Sequence, residues 1–245
     1  MSLRRSLFAL PISGLAALSA LCGGAGCVAS VEPIQVAADC PDQPLRGPDQ
    51  WETEPADRLI DDFEDGDVRI AKVMNRTGSW ALGNDGSSGN VVAETSNRCS
   101  ARGGKSGHFA GAGFTNWGAN WTAVFVDTGG ATAPALPYDG RAYTGISFWA
   151  AVGTLATEPF EAPVGVTTTD NAWNSAVCGT KCMDYYGTKV PLTRAWQRIV
   201  IRFDQLAQAG WGVPQIAMKH DQLVGFVIWP NHQFDIWIDD VRFEP

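Results

Sequence analysis

Between Leu59 and Asp67 the chain reads LIDDFEDGD, five acids within seven residues around a single phenylalanine. Carboxylates at that density have three uses. They can stand in water as a loop, or gather a calcium ion, which takes roughly six to eight oxygens. They can also supply the two carboxylates, about 5–10 Å apart, that glycoside hydrolysis needs. An EF-hand is excluded, because the Asp-x-Asp-x-Asp-Gly loop with its closing glutamate is missing. Other chemistry-bearing patterns are scarce. GGKSG (103–107) ends like a phosphate loop, but the first glycine of that motif would fall at Cys99, and no helical pattern follows. Gly-x-Ser-x-Gly is absent. His108, His220 and His232 form no His-x3-His pair and read as surface or packing residues. CGTKC (178–182) has no second cysteine or histidine pair beside it, as a zinc site would require. Asp170 and Asp184 could be paired on paper, yet no spacing singles them out. A catalytic reading is therefore set below a binding one.

Aromatic side chains carry the binding chemistry. Ten tryptophans are more than one modest core needs, and 27 glycines suit tight turns between strands. Sugars present flat C–H faces that stack on indole and phenol rings, while their hydroxyls need polar partners. A few convergent polar groups beside apolar platforms describe such a cleft. Trp117, Trp173, Tyr185, Tyr186 and Trp229 lie in glycine-rich or polar loops or at a strand end, and are the candidate platforms. Asn116, Asp170, Asn174 and Asp184 are the candidate hydroxyl partners nearby. Trp121 and Trp196 open strands with clean alternation and read as core, whereas Trp149 and Trp237 could face either way. Trp51 falls in a linker and Trp80 in a loop.

The elements that must position these residues are short strands. RIAKV, NVVAET, SGHFAG, NWTAVFV, TGISFWAAV, APVGVTTT, KVPLT, WQRIVIRF, LVGFVIW and FDIWIDDVRF follow one another, broken by Gly, Pro, Asn and Asp. In WQRIVIRF, Ile199, Ile201 and Phe203 face one way and Arg198 and Arg202 the other. In GISFWAA, Ile146, Phe148 and Ala150 oppose Ser147 and Trp149. Only FDQLAQAG reads as helical, for two turns at most. Strands without intervening helices predict an all-β fold, a single antiparallel β-sandwich over 59–245. Residues 27–58 are polar and proline-rich and read as a tether. Residues 1–26 read as a signal peptide: Arg4 and Arg5, an apolar stretch interrupted by Pro11 and Gly14, then small residues. Cys27 follows GAG, which suits a bacterial lipoprotein signal at two positions; ordinary cleavage and secretion is the alternative. Either way the protein is exported, as an outer-membrane or cell-surface lipoprotein or as a secreted chain, and touches a membrane only through a lipid at Cys27.

Export makes disulfides available to Cys40, Cys99, Cys178 and Cys182. Three pairings are open; Cys178 with Cys182 and Cys40 with Cys99 is the preferred one. Loss of Arg4 and Arg5 removes two positive charges, taking the −8 of the whole chain to −10. An acidic exported protein without a Lys/Arg cluster is a poor partner for nucleic acid or an anionic membrane surface. A monomer is expected.

LIDDFEDGD, GKSGHFAGAGFTNWGANW, YTGISFWA, LTRAWQRIVIRFDQLAQAGWG, LVGFVIW and FDIWIDDVRF, in that order, resemble the family 11 carbohydrate-binding modules. There an Asp-Asp-Phe-Glu strand opens a jelly roll and an Ile-Asp-Asp-Val strand closes it. The resemblance spans about Leu59 to Pro245, and the segment 167–188 with its cysteine loop departs from the pattern. It implies a galactose-binding-like sandwich with structural calcium and a concave sheet that holds β-glucan chains. Calcium would then be held by Asp61, Asp62, Glu64 and Asp239, with Asp240 beside them; the alternative is that these acids accept backbone hydrogen bonds. The expected function is non-catalytic binding of a β-glucan-like polysaccharide. A surface lipoprotein that binds a protein or cell-wall polymer is the alternative, with a glycoside-active enzyme after it.

Overall fold

Two antiparallel sheets form because period-2 patterns hide one face of each strand from water and turn the other outward. The computed structural model describes residues 40–42, 55–130 and 133–245, all within one compact unit of the chain. The expected signal peptide, Cys27 and most of the expected tether, Trp51 included, lie outside the described residues. Eleven strands follow in order among them: β1 Leu59–Asp61, β2 Trp80–Asn84, β3 Asn90–Ser96, β4 Ser106–Ala112, β5 Ala119–Val124, β6 Gly145–Val152, β7 Phe160–Thr168, β8 Tyr186–Leu192, β9 Gln197–Arg202, β10 Leu223–Ile228 and β11 Phe234–Glu244. The first sheet runs β3-β4-β11-β6-β9, with β1 also paired to β11; the second runs β2-β5-β10-β7-β8. The first and last strands are therefore neighbours, Asp61 standing opposite Val241.

Between the sheets lies an aromatic core. Trp80 and Trp121 have ring centroids 4.4 Å apart, Phe63, Phe109 and Phe226 pack around them, and Phe148 packs on Phe226. Truncating a buried tryptophan such as Trp121 costs ~3–5 kcal/mol. The alternation in β11 changes phase. Ile236 and Ile238 enter the core, then Val241 and Phe243 do, because a bulge with Asp240 at φ 49° inserts one extra residue. Asp239 lies on the outer face by alternation with Ile238, and the bulge returns Val241 to the core instead of leaving it beside Asp239.

That outer face of the first sheet has a smaller core of its own. Trp149, Trp196 and Trp237 pack there under Cys99 and Ala101, with Cys40 against them. The Cys40–Cys99 disulfide closes it, and Cys178 pairs with Cys182. His108 is buried, stacks on Trp237 at 3.9 Å and shares a 2.9 Å hydrogen bond with Asp235, which makes it a packing residue.

Three local expectations need correction. RIAKV is not a strand: its backbone closes onto Ile60 and into turns, and only Arg69 bridges to Ser79. Trp80 is no loop residue but opens β2 and is core, its indole N–H held by Asp61. FDQLAQAG folds as a single 3-10 turn, Phe203–Gln205, because the segment beyond it is drawn off to pair Ala207 with Gly187.

Candidate functional site

On the outer face of the second sheet, Asn120 of β5, Pro163 of β7 and Gly187 and Lys189 of β8 alternate with the core residues Trp121, Val164 and Val190. A cleft of ≈ 890 Å³ opens over this face. Its apolar walls are four rings, Trp117, Tyr185, Trp211 and Trp229. Trp229 follows β10 and donates its backbone N–H to Pro163 at 3.1 Å. Its indole lies on Gly187: a Cβ there would fall 2.3 Å from the ring, so only glycine lets it settle on the sheet. Tyr185 meets Trp229 with centroids 5.0 Å apart and planes at 52°. Burial pushes its phenol up to about 12, so it stays a neutral hydroxyl at ordinary pH. Trp117 and Trp211 are 47% and 57% exposed, which leaves their faces open to a ligand. Asn120, Asn231 and Lys189 supply polar groups among these rings.

Two carboxylates hold the loops that carry the exposed tryptophans. Asp85 accepts the N–H groups of Asn116 and Gly118, both at 3.0 Å, on either side of Trp117. Burial by itself would raise this carboxyl, but hydrogen bonds from Ser87, Gly118 and Asn116 outweigh it and hold it at about 2. Asp184 is buried and accepts from Ala209 and Gly210 at 3.0 Å and from Gly212 at 2.9 Å, on either side of Trp211. The disulfide loop abuts this wall, with Cys182 and Met183 at the cleft.

The cleft thus gathers Trp117, Asp184, Tyr185 and Trp229 of the expected residues. It does not gather the rest. Asn116 is exposed in the Trp117 loop, its N–H turned to Asp85. Trp173 is partly buried in the loop after β7, away from the cleft lining, and Asn174 is exposed beside it. Tyr186 is a core residue: adjacent strand residues point to opposite faces, so Tyr185 outside puts Tyr186 inside. Asp170 pairs with Lys219 at 2.6 Å.

The calcium set does not assemble. LIDDFEDGD is a ladder of Asx turns, in which the side chains of Asp61, Asp62, Asp65 and Asp67 accept the N–H two residues on. Asp61 also accepts the Trp80 indole N–H at 2.7 Å, and Glu64 accepts the Lys105 N–H at 3.0 Å. Asp239 faces the other side of the sheet and accepts from Ser100 and Ala101, both at 2.9 Å. Its second oxygen is buried without a partner, but the neighbouring Asp240 is already paired with Arg102 and Arg242. Among the described residues, no three or more His, Cys, Asp or Glu are grouped to hold a metal. The residues present do not fit the ion, because the bulge at Asp240 and the two faces of the sheet separate them. Burial pushes both Asp61 and Asp239 up to about 7.

Solved structures share this architecture. The family 11 carbohydrate-binding module of a cellulosomal cellulase of Clostridium thermocellum superposes with a TM-score of 0.51 at 14% identity, over 76% of this chain and 93% of that one. A family 11 module from the same organism, in complex with a β-1,3-1,4-mixed-linked tetrasaccharide, gives 0.50 at 15% identity, over 76% and 94%. In fold, the chain is similar to a family 11 carbohydrate-binding module. No family model matches the sequence, and no curated protein matches it.

Within this module-like fold, the residue that sequence reasoning passed over is Trp211. It stands between Gly210 and Gly212 in a strandless segment, much as Trp117 stands before Gly118. That shared glycine-flanked setting was the signal available. Lys189 carried no such signal, since a lysine on an edge strand ordinarily only guards the edge.

Proposed function

We propose that the protein is exported and binds a polysaccharide without cleaving it, with a β-glucan as the first class to test. The carrying observation is the ≈ 890 Å³ cleft walled by four aromatic rings, with amides and one lysine beside them on a preformed sheet. Rings of this kind stack on sugar C–H faces, and the surrounding polar groups meet the hydroxyls. Hydrolysis would need two carboxylates facing a bound sugar. The carboxylate among the cleft residues is Asp184, and three backbone N–H groups already occupy it. That supports binding over catalysis. Two disulfides suit an oxidising compartment and support export. Affinity electrophoresis against a panel of soluble polysaccharides, mixed-linkage β-glucan among them, tests the reading. Retardation of wild type is expected, with Trp229→Ala folded yet at least tenfold weaker. A wild type that no glycan retards overturns it, and release of reducing sugar would replace binding with catalysis.

A further inference from the structure

We propose that Asp184 is a positioning residue for ligand binding that acts through Trp211 rather than by touching the sugar; the proposal rests on the carbohydrate reading above. A carboxylate beside aromatic rings in a cleft would ordinarily be assigned to sugar hydroxyls. Here the geometry points elsewhere. The Asp184 side chain is buried, its residue only 1% exposed. Its Oδ1 accepts the Ala209 N–H at 3.0 Å, and its Oδ2 accepts those of Gly210 at 3.0 Å and Gly212 at 2.9 Å. A carboxylate offers about four acceptor sites, so three such bonds leave little capacity for a ligand.

The three donors bracket Trp211, the ring most exposed in the cleft, at 57%. Residues 208–212 belong to no strand or helix, and Gly210 has φ +91°. The backbone N–H groups of Ala209, Gly210 and Gly212, on either side of the indole, therefore end on one side chain, while the Gln208 amide clips the loop further along, at Val213 and Gln215. Asp184 is itself held by its carbonyl, which accepts from Asn171 at 2.9 Å and from Gln208 at 3.0 Å. One residue thus joins the disulfide-bearing segment, the start of β8 and the Trp211 loop. A platform fixed in advance costs less ordering when a sugar arrives than one on a free loop. The opposite wall repeats the device independently: Asp85 brackets Trp117 with two N–H groups, both at 3.0 Å.

A double-mutant cycle separates positioning from contact. Trp211→Ala, Asp184→Asn and the double variant are titrated with soluble mixed-linkage β-glucan, alongside melting temperatures. Trp211→Ala is expected to weaken binding roughly tenfold or more. Asp184→Asn should weaken it by a comparable factor, and the double variant should bind no worse than Trp211→Ala alone. In the unliganded protein, Asp184→Asn should also make the Trp211 fluorescence, isolated by difference from Trp211→Phe, more accessible to acrylamide. Additive losses would show that Asp184 contacts the sugar, and wild-type binding by Asp184→Asn would show that it does nothing for the site; either overturns the proposal while the carbohydrate reading stands. Failure of the wild type to bind any glycan overturns that reading instead, whatever the quenching shows. Should Asp184→Asn fail to fold, Ala209→Pro takes its place in the cycle, since it deletes one donor from the exposed loop and leaves the carboxylate intact.

Discussion

Gly187→Ala is the sharpest probe of the cleft, because it adds one methyl group and removes nothing. The new Cβ would lie 2.3 Å from Cη2 and 2.8 Å from Cζ2 of the Trp229 indole. Non-bonded carbons settle about 3.5–4.0 Å apart, so the ring must withdraw by roughly 1.2 Å or more. It cannot bend, and the sheet blocks retreat downward, so it lifts into the cleft toward Tyr185. A stacking platform displaced by that distance no longer matches a bound sugar ring, and affinity should fall about tenfold, or ~1.4 kcal/mol. Stability should fall by no more than about 2.6 kcal/mol. Crowding costs ~1–3 kcal/mol, offset by ~0.4–1 kcal/mol from the narrower unfolded ensemble of alanine. Thermal melts and affinity electrophoresis on the same preparation read both. Adding Trp229→Ala removes the clash, so the double variant should bind like Trp229→Ala and melt no lower than it. If Gly187→Ala binds as wild type, Trp229 does not rest on Gly187 as a binding platform, and the reasoning fails.

Two further outcomes follow from the same geometry. Burial raises Asp61 and Asp239 to about 7 from 3.8 in the unfolded chain, so the folded state holds their protons longer. Their contribution to stability is fully present below about pH 4 and is lost as pH rises to about 7; chemical denaturation across that window should show the fall, and Asp239→Asn should flatten it. Of the disulfides, Cys40–Cys99 spans 59 residues and by loop entropy contributes ~4 kcal/mol, whereas Cys178–Cys182 spans only 4 and contributes much less. Serine replacement of the first pair should lower the melting temperature strongly, and of the second should weaken glycan binding with little change in melting; the opposite ranking would refute this assignment.

Local pattern made much of the fold legible, and the reasons are specific. GISFWAA and WQRIVIRF announced their buried faces because period-2 alternation is a property of the strand alone. FDIWIDDVRF even carries the bulge, since its apolar residues step by two to Ile238 and then by three to Val241. The four-residue spacing of Cys178 and Cys182 favoured their pairing on its own. β2 was missed because WALGN buries only Trp80, and its glycine and asparagine read as a loop.

For the site, the sequence by itself determined which residue types were available: a surplus of indoles in glycine-rich loops, a tyrosine pair, and acids near them. Only the tertiary structure decided where they stand and what they meet. Adjacent Tyr185 and Tyr186 had to point apart, but which one faced the cleft depended on the register of β8 against β7. Asp184 reads in the sequence as a sugar partner, and only the path of the 209–212 loop brings three backbone N–H groups onto its oxygens. Asp61 and Asp239 looked like one calcium site until the Asp240 bulge put them on opposite faces of a sheet. Alternation and spacing act between neighbours in the chain and are written in it. Which distant backbone groups a carboxylate meets is set by strand order, register and loop path, and those exist only once the two sheets have packed.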